Sequence, residues 1–160
     1  MYSKITDTLI TTSEAALLQD ELRILQQTLF SKREGGFNVA LQTLVRARTS
    51  QLIESALAEL KEGPAAFLDT LSKEIEQVPV IELGLAFEPT EDFLIKLHRH
   101  LKTEERPSFL LKITHLPHLI GGATVTVNGT YRDASLQHRL EQLFESITSV
   151  EELRKQLKLK

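Results

Sequence analysis

Five histidines are the residues of this chain that are best suited to bind a metal or to transfer a proton. His98 and His100 lie two residues apart in a stretch with helical periodicity, so their side chains point to different faces. His115 and His118 flank Pro117 in a turn that contains no acidic residue to complete a metal shell. We therefore interpret the histidines as surface residues of a helix and a turn, and we predict no metal site.

The other pair with chemical potential is Asp133 and Ser135, an acid and a hydroxyl two residues apart. Because they stand between a strand-like and a helix-like stretch, their types favour helix capping over a base and a nucleophile. The sequence contains no G-x-x-x-x-G-K-[ST], no G-x-G-x-x-G and no G-x-S-x-G pattern, and it has no cysteine. We predict no catalytic residue and no cofactor.

Length and charge limit the remaining function classes. The 160 residues, 41% of them hydrophobic, suit one domain of ordinary size or one domain with a helical appendage. The net charge is −3, and the part up to Gln77 has 8 basic against 11 acidic residues. The rest has 11 of each, so neither part has the basic excess that a nucleic-acid binder needs. No stretch approaches the roughly 20 apolar residues of a membrane span.

Residues 1–77 have the periodicity of helices. Apolar residues recur at spacings of three and four in three stretches, which are Leu18–Leu29, Phe37–Leu60 and Pro64–Val78. Gly35–Gly36 separates the first two stretches. The middle of the second stretch, RARTSQ (46–51), is polar all round, and it is either solvated or contacted by a partner.

Residues 78–160 mix the periods of strands and helices. Alternation predicts strands at Ile81–Phe87, at 108–114 and at Ala123–Val127, and the Asn128–Gly129 turn predicts a hairpin to a short strand at Thr130–Arg132. Helices are predicted after Thr90 and from Leu136, and Ser149–Glu152 has the pattern of a capping box for a short last helix. The fold class is therefore α+β: an N-terminal helical part of about three helices, in a hairpin or short bundle, and a small β-α-β-β(β)-α C-terminal domain.

The segment LIGGATVTVNGTYRDASLQHRL (119–140) resembles the C-terminal signature of the ATP synthase delta subunit family, which includes the oligomycin-sensitivity-conferring protein. Members of that family show LIGG, a hairpin with a Gly- or Asn-containing turn, an acidic residue, and S-L/V-x-x-R/Q-L at the start of a closing helix. The upstream run VIELGLAFEPTEDFLIKLHRHL (80–101) is similar to the strand and helix that precede the signature. The resemblance covers roughly residues 75–146.

The resemblance implies a non-catalytic role in proton-driven ATP synthesis. A delta subunit belongs to the peripheral stalk, or stator, and its N-terminal six-helix bundle binds the N-terminal segments of the alpha subunits. Its C-terminal domain binds the end of subunit b. The resemblance thus implies peripheral attachment at the cytoplasmic face of the cell membrane, through the complex. This chain departs from that pattern, because we expect about three helices in its N-terminal part where the family has six.

The partner-binding residues that we predict follow the signature: Leu119, Ile120, Gly121, Gly122, Ser135, Leu136, Arg139 and Leu140. We expect Leu119 and Ile120 to fold back over the sheet, where each stabilises by roughly 1.5–3 kcal/mol if fully buried. Gly121 and Gly122 permit an unusual turn or the close approach of another chain. For Gly121 we favour turn geometry alone. For Gly122 we keep two explanations, turn geometry and a contact with a partner.

Three other functions stay open at this point. The E-type stalk subunit of vacuolar and archaeal ATPases also joins N-terminal helices to an α+β domain. A small nucleic-acid-binding α+β module would need a G-x-x-G loop with flanking basic residues, which the sequence lacks. An enzyme would need convergent His, Asp and Ser side chains, which the sequence does not indicate.

Overall fold

The structure is a computed structural model that describes residues 2–29, 36–59, 63–103 and 108–143. Its helical first half and the four-stranded mixed sheet that follows confirm the predicted α+β class. Two features of the sequence lie outside the described residues: the capping box expected at Ser149–Glu152, and Gly35 of the pair that separates two helical stretches.

The first half contains more helices than the sequence periodicity indicated. Within its described residues there are five where about three were expected: α1 (Tyr2–Thr6), α2 (Thr12–Leu29), α3 (Gly36–Thr43), α4 (Ala47–Glu59) and α5 (Pro64–Glu76). The predicted helix from Phe37 to Leu60 is divided because the chain leaves the helical conformation at 44–46. Apolar residues keep helical spacings across this break, at Leu41, Val45, Leu52 and Ala56, and apolar spacing therefore concealed it.

Local sequence explains where two of these helices begin. At the start of α2, Thr11 Oγ1 accepts the backbone N–H of Glu14 (3.2 Å), and Glu14 Oε2 accepts those of Ile10 (2.8 Å) and Thr11 (3.3 Å). This reciprocal arrangement is a capping box. Pro64 occupies the first turn of α5, where its missing N–H costs no hydrogen bond.

The second half alternates strands and helices. The elements are β1 (Val80–Leu85), α6 (Glu91–Leu101), β2 (Leu110–His115), β3 (Ala123–Val127), β4 (Thr130–Asp133) and a helix that we label α7 at 136–143. The strand order is β2-β1-β3-β4. The pairs β1–β3 and β3–β4 are antiparallel. β2 runs parallel to β1, because Leu110 N–H donates to Pro79 O (2.8 Å) and Leu116 N–H donates to Leu85 O (2.8 Å), with the same residue offset at both ends of the strand. Thr90 caps α6 as predicted, with its Oγ1 accepting the N–H of Phe93.

The hairpin between β3 and β4 has the predicted two-residue turn. Asn128 and Gly129 have φ angles of 50° and 77°, the positive values that a type I′ turn requires. Val127 pairs with Thr130, and Val125 faces Arg132, as the two-residue loop predicts. Arg132 is exposed and Val125 is half-buried, so this ribbon contributes little to the core.

The chain divides into two compact units, and β1, α6 and β2 contribute residues to both. The first unit comprises Met1–Val80 and Ile95–Leu111, and the second comprises Ile81–Leu94 and the residues from Lys112 onward. The core of the first unit is built from the apolar faces of its helices, and its fully buried side chains include Leu22, Leu25, Ile53, Phe67, Leu68 and Leu71. The predicted domain boundary between 77 and 78 stays a prediction.

The sheet of the second unit buries Ile81, Leu83 and Leu85, the alternating residues of β1. Gly84 lies between them, and a Cβ atom built there would be 2.4 Å from both Thr124 Oγ1 and Leu116 Cδ1. Because Gly84 has no side chain, Thr124 and Leu116 can occupy this space. Phe87, which was predicted to continue the strand, lies beyond it and is exposed, edge-to-face with Phe93.

Candidate partner-binding surface

The Leu119–Gly122 segment makes a turn that packs backbone against backbone on the start of α7. Gly121 and Gly122 have φ angles of 76° and 83°, which side chains rarely tolerate. Leu136 N–H donates to Gly121 O (3.1 Å), and a Cβ on Gly122 would be 2.6 Å from Ala134 O and 2.8 Å from the Cα of Ser135. Positive φ accounts for both glycines, and at Gly122 the close backbone of Ala134 and Ser135 also leaves no room for a side chain.

Asp133 and Ser135 position the first turn of α7. Asp133 Oδ1 accepts the N–H of Ser135 (2.8 Å), and the hydroxyl of Ser135, which is buried, accepts the N–H of His138 (3.2 Å). The hydrogen bonds from the side chain and backbone of Ser135 lower the pKa of Asp133 from its ordinary value. Both side chains thus serve capping, as predicted.

An apolar stripe on α7 faces outward instead of into a core. Leu136, Leu140 and Leu143, at helical spacings of four and three, are 48%, 40% and 57% exposed. Ile120 is 62% exposed, so the expectation that it folds back over the sheet is wrong, whereas Leu119 is half-buried. The reason is the turn: its left-handed residues bring Gly121, and not the side chain of Ile120, against the helix.

Arg139 lies beside this stripe. It lines a shallow pocket with Gln142 and Leu143, and its guanidinium has no ion pair or hydrogen bond among the residues that the structure describes. We call the side chains of Ile120, Leu136, Leu140 and Leu143, together with Arg139, the turn–helix surface. The fold brings all eight predicted residues to this turn and helix, although Ser135, Gly121 and Gly122 are engaged in internal contacts.

The interpretation of the helix histidines as surface residues is wrong for His98. Its side chain is buried, its Nε2 lies 3.1 Å from the carbonyl oxygen of Phe109, and its ring packs on that of Phe109 with the centroids 4.4 Å apart. A single histidine on an amphipathic helix carries no sequence signal that distinguishes this core position. Within the described parts of the chain, no three His, Asp or Glu side chains come together as a metal site would require.

Two residues of the polar stretch 46–51, Arg46 and Thr49, make hydrogen bonds inside the protein. Glu21 of α2, which is only 9% exposed, accepts hydrogen bonds from Arg46 Nε (2.8 Å), Nη2 (3.0 Å) and backbone N (2.9 Å), and from Thr49 Oγ1 (2.6 Å). The Arg46 side chain is 49% exposed. Burial raises the pKa of Glu21, but the hydrogen bonds from Arg46 and Thr49 outweigh it, so the pKa lies below its ordinary value. The same contact raises the pKa of Arg46.

Within 46–51, Arg48 and Gln51 are exposed, as solvation predicts, whereas Thr49 and Ser50 are buried. A partner contact of this stretch stays a prediction. Glu21 satisfies the backbone N–H of Arg46, directly before α4, and thereby caps that helix from a distant part of the sequence. Sequence reasoning missed Glu21 because it stands on the edge of the apolar stripe of α2, where one acidic residue reads as solvated.

The outward apolar face of α7 is a candidate site for binding another protein. The family model described as ATP synthase delta (OSCP) subunit matches residues 26–147. Because the match covers most of the chain, this protein belongs to the ATP synthase delta (OSCP) family, a family of peripheral-stalk subunits of the F-type ATP synthase.

The family match extends the resemblance seen in the sequence toward the N-terminus. It begins within α2 and includes α3, α4 and α5, so the helical part belongs to the family as the C-terminal signature does. It favours the delta subunit over the E-type stalk subunit and over a nucleic-acid-binding module. A comparison with curated proteins found no match. None of the described helices combines the length and the hydrophobicity needed to cross a bilayer.

Proposed function

We propose that this protein links the catalytic head of the F-type ATP synthase to subunit b, and that it holds the head against the torque of the rotor without catalysing a reaction. The family match supports the proposal, because the matched family supplies peripheral-stalk subunits. In this role the protein contributes to proton-driven ATP synthesis through mechanical coupling. It is held at the cytoplasmic face of the membrane by its partners.

The turn–helix surface is the part of the second unit that we assign to subunit b. Its leucines recur along one face of α7, which is the pattern by which a helix packs on another amphipathic helix. Burying exposed apolar side chains stabilises an interface by roughly 25 cal/mol per Å² removed from water, before the cost of association is subtracted. A stripe of apolar residues on a soluble protein is therefore a candidate for such burial.

The helices of the first unit are the part that we assign to the alpha-subunit N-terminal segments. Leu17 and Ile24 of α2, seven residues apart, are exposed and share one face of that helix. Family membership and this second exposed apolar stripe support the assignment.

The experiment that tests the proposal is a pull-down with the full chain. The baits are an F1 head that lacks its delta subunit and a peptide of the C-terminal helix of subunit b, both from the same source. We expect both baits to retain the wild-type protein, Leu140→Asp to lose the subunit b peptide alone, and Leu17→Asp to keep it. Leu17 is a matched control for the subunit b peptide only, because it is also an exposed leucine on a helix but lies on the face that we assign to the alpha subunits. Retention by neither bait would contradict the proposed function.

A further inference from the structure

The turn–helix surface combines apolar side chains with Arg139, whose guanidinium has no ion pair or hydrogen bond within the described parts of the chain. We propose that it selects an amphipathic partner helix that carries a carboxylate opposite Arg139. The inference rests on the proposed function, since it names the chemistry by which the surface would recognise the stalk helix. In this proposal Arg139 selects the partner helix and fixes its register, and the leucines supply the apolar area that binding buries.

The geometry of the apolar stripe fits a helix. Leu136, Leu140 and Leu143 extend along about 10 Å of α7, or about two turns. Ile120, which is also exposed, precedes Gly121, whose carbonyl oxygen accepts the N–H of Leu136 at the first turn of α7. A partner helix with apolar residues at spacings of three and four matches this length.

The charges around the stripe point to an acidic partner. Of the other polar side chains of α7, Gln137 bonds to Glu141 (3.0 Å) and Gln142 bonds to His138 (3.0 Å). Glu141 lies about 140° around the helix from Leu136, on the other side from Arg139. The described residues therefore place one guanidinium and no carboxylate at the border of the stripe.

An arginine in that position favours a carboxylate over other partners. Its guanidinium can donate two parallel hydrogen bonds to an Asp or Glu side chain, and the adjacent leucines would exclude water from the pair. A second copy of this chain would bring two Arg139 side chains to one interface, with no carboxylate of that face to neutralise them. Like charges at an interface oppose association.

The test measures the affinity of the full chain for the peptide of the C-terminal helix of subunit b, at low and at high salt. The variants are Arg139→Glu, the conservative Arg139→Lys, Leu140→Asp, and the control Arg99→Glu, which makes the same charge change on an exposed helical arginine of α6. Circular dichroism establishes that each variant is folded. We expect Arg139→Glu to weaken binding about tenfold or more and Arg139→Lys to weaken it less. Arg99→Glu should have no effect.

The decisive arm changes the peptide. Each of its acidic residues is replaced by lysine in turn, and one of these peptides should restore binding to Arg139→Glu. The inference is overturned if Arg139→Glu binds the peptide at wild-type affinity, or if no altered peptide restores its binding. The proposed function still stands in either case, provided that Leu140→Asp fails to bind. No binding by the wild-type protein would overturn both. A dimer that Leu140→Asp dissociates would show that a second copy occupies the surface, and it would also overturn the inference.

Discussion

Replacing Glu21 with alanine removes the carboxylate that joins α2 to the start of α4. Four donors lose their acceptor: the backbone N–H, Nε and Nη2 of Arg46, and the hydroxyl of Thr49. A hydrogen bond to a charged group contributes about 1.5–3 kcal/mol, and breaking a buried ion pair costs about 3–5 kcal/mol. Thr49 is buried and cannot turn to solvent, whereas the Arg46 side chain is half-exposed and can be rehydrated.

We therefore expect Glu21→Ala to lower the free energy of unfolding by about 2–3 kcal/mol, below the full cost of a buried pair because of that rehydration. For a protein of this size, each kcal/mol lowers the melting temperature by about 2–4 °C, so the expected shift is about 4–12 °C. Urea and thermal unfolding followed by circular dichroism at the helical band measure both quantities.

The control is Arg48→Met. Arg48 is exposed and lies two residues after Arg46, and surface substitutions of this kind change the free energy of unfolding by no more than about 0.5 kcal/mol. Arg46→Met should be destabilising, and the double variant Glu21→Ala/Arg46→Met should lose less than the sum of the two single changes, since both break the same contact. If Glu21→Ala is as stable as Arg48→Met, or if the two effects are simply additive, Glu21 does not hold α4 as we describe.

Three further outcomes follow from the same structure. Because the folded pKa of Glu21 lies below its ordinary value, its stabilisation is complete above about pH 4.3 and is lost as the pH falls through the folded pKa. We therefore expect the difference in the free energy of unfolding between the wild-type protein and Glu21→Gln to decrease as the pH falls below about 4.3. A difference that does not change with pH would refute the lowered pKa of Glu21. Gly122→Ala should cost about 2–4 kcal/mol in urea unfolding, from positive φ and backbone overlap, against about 1 kcal/mol for Gly129→Ala, whose Cβ meets open space. Equal losses would show that the overlap at Gly122 relaxes. Ser135→Ala should lose about 1 kcal/mol through the missing cap of α7, and an unchanged unfolding midpoint would exclude the cap.

Gly122 is a poor position at which to test partner binding by substitution. A large residue there would collide with Ala134 and Ser135 of the same chain, so lost binding in such a variant would report a damaged turn and not a missing partner contact. Leu140 and Arg139, whose side chains are exposed, are the better positions at which to test partner binding.

Local signals in the sequence were sufficient for the elements of the second half. Alternation located β1 and β3, Asn128–Gly129 required its hairpin, and Thr90 and Ser135 capped the helices that follow them. Each of these features depends on interactions between residues a few positions apart, which is why spacing and residue type predicted them.

Tertiary contacts decided what spacing could not. The division of the second predicted helix into α3 and α4 is stabilised by Glu21, which is 25 residues away from Arg46, and no local pattern contains that information. The burial of His98 depends on Phe109, which approaches it from outside its own helix. In both cases a polar side chain is buried because a distant group satisfies its hydrogen bonds.

The LIGG segment has features that the local sequence determines and others that depend on tertiary contacts. Its two glycines and the leucine–isoleucine pair were sufficient, with the hairpin and D-x-S-L-x-x-R-L, to indicate the delta-subunit family, which the match over residues 26–147 establishes. The sequence determined that a turn with positive φ stands there, because glycine is the residue that adopts it without strain. Only the fold decided that Ile120 is exposed and that the backbone of Ala134 and Ser135 lies against Gly122, because both depend on how the turn packs on the residues that lead into α7.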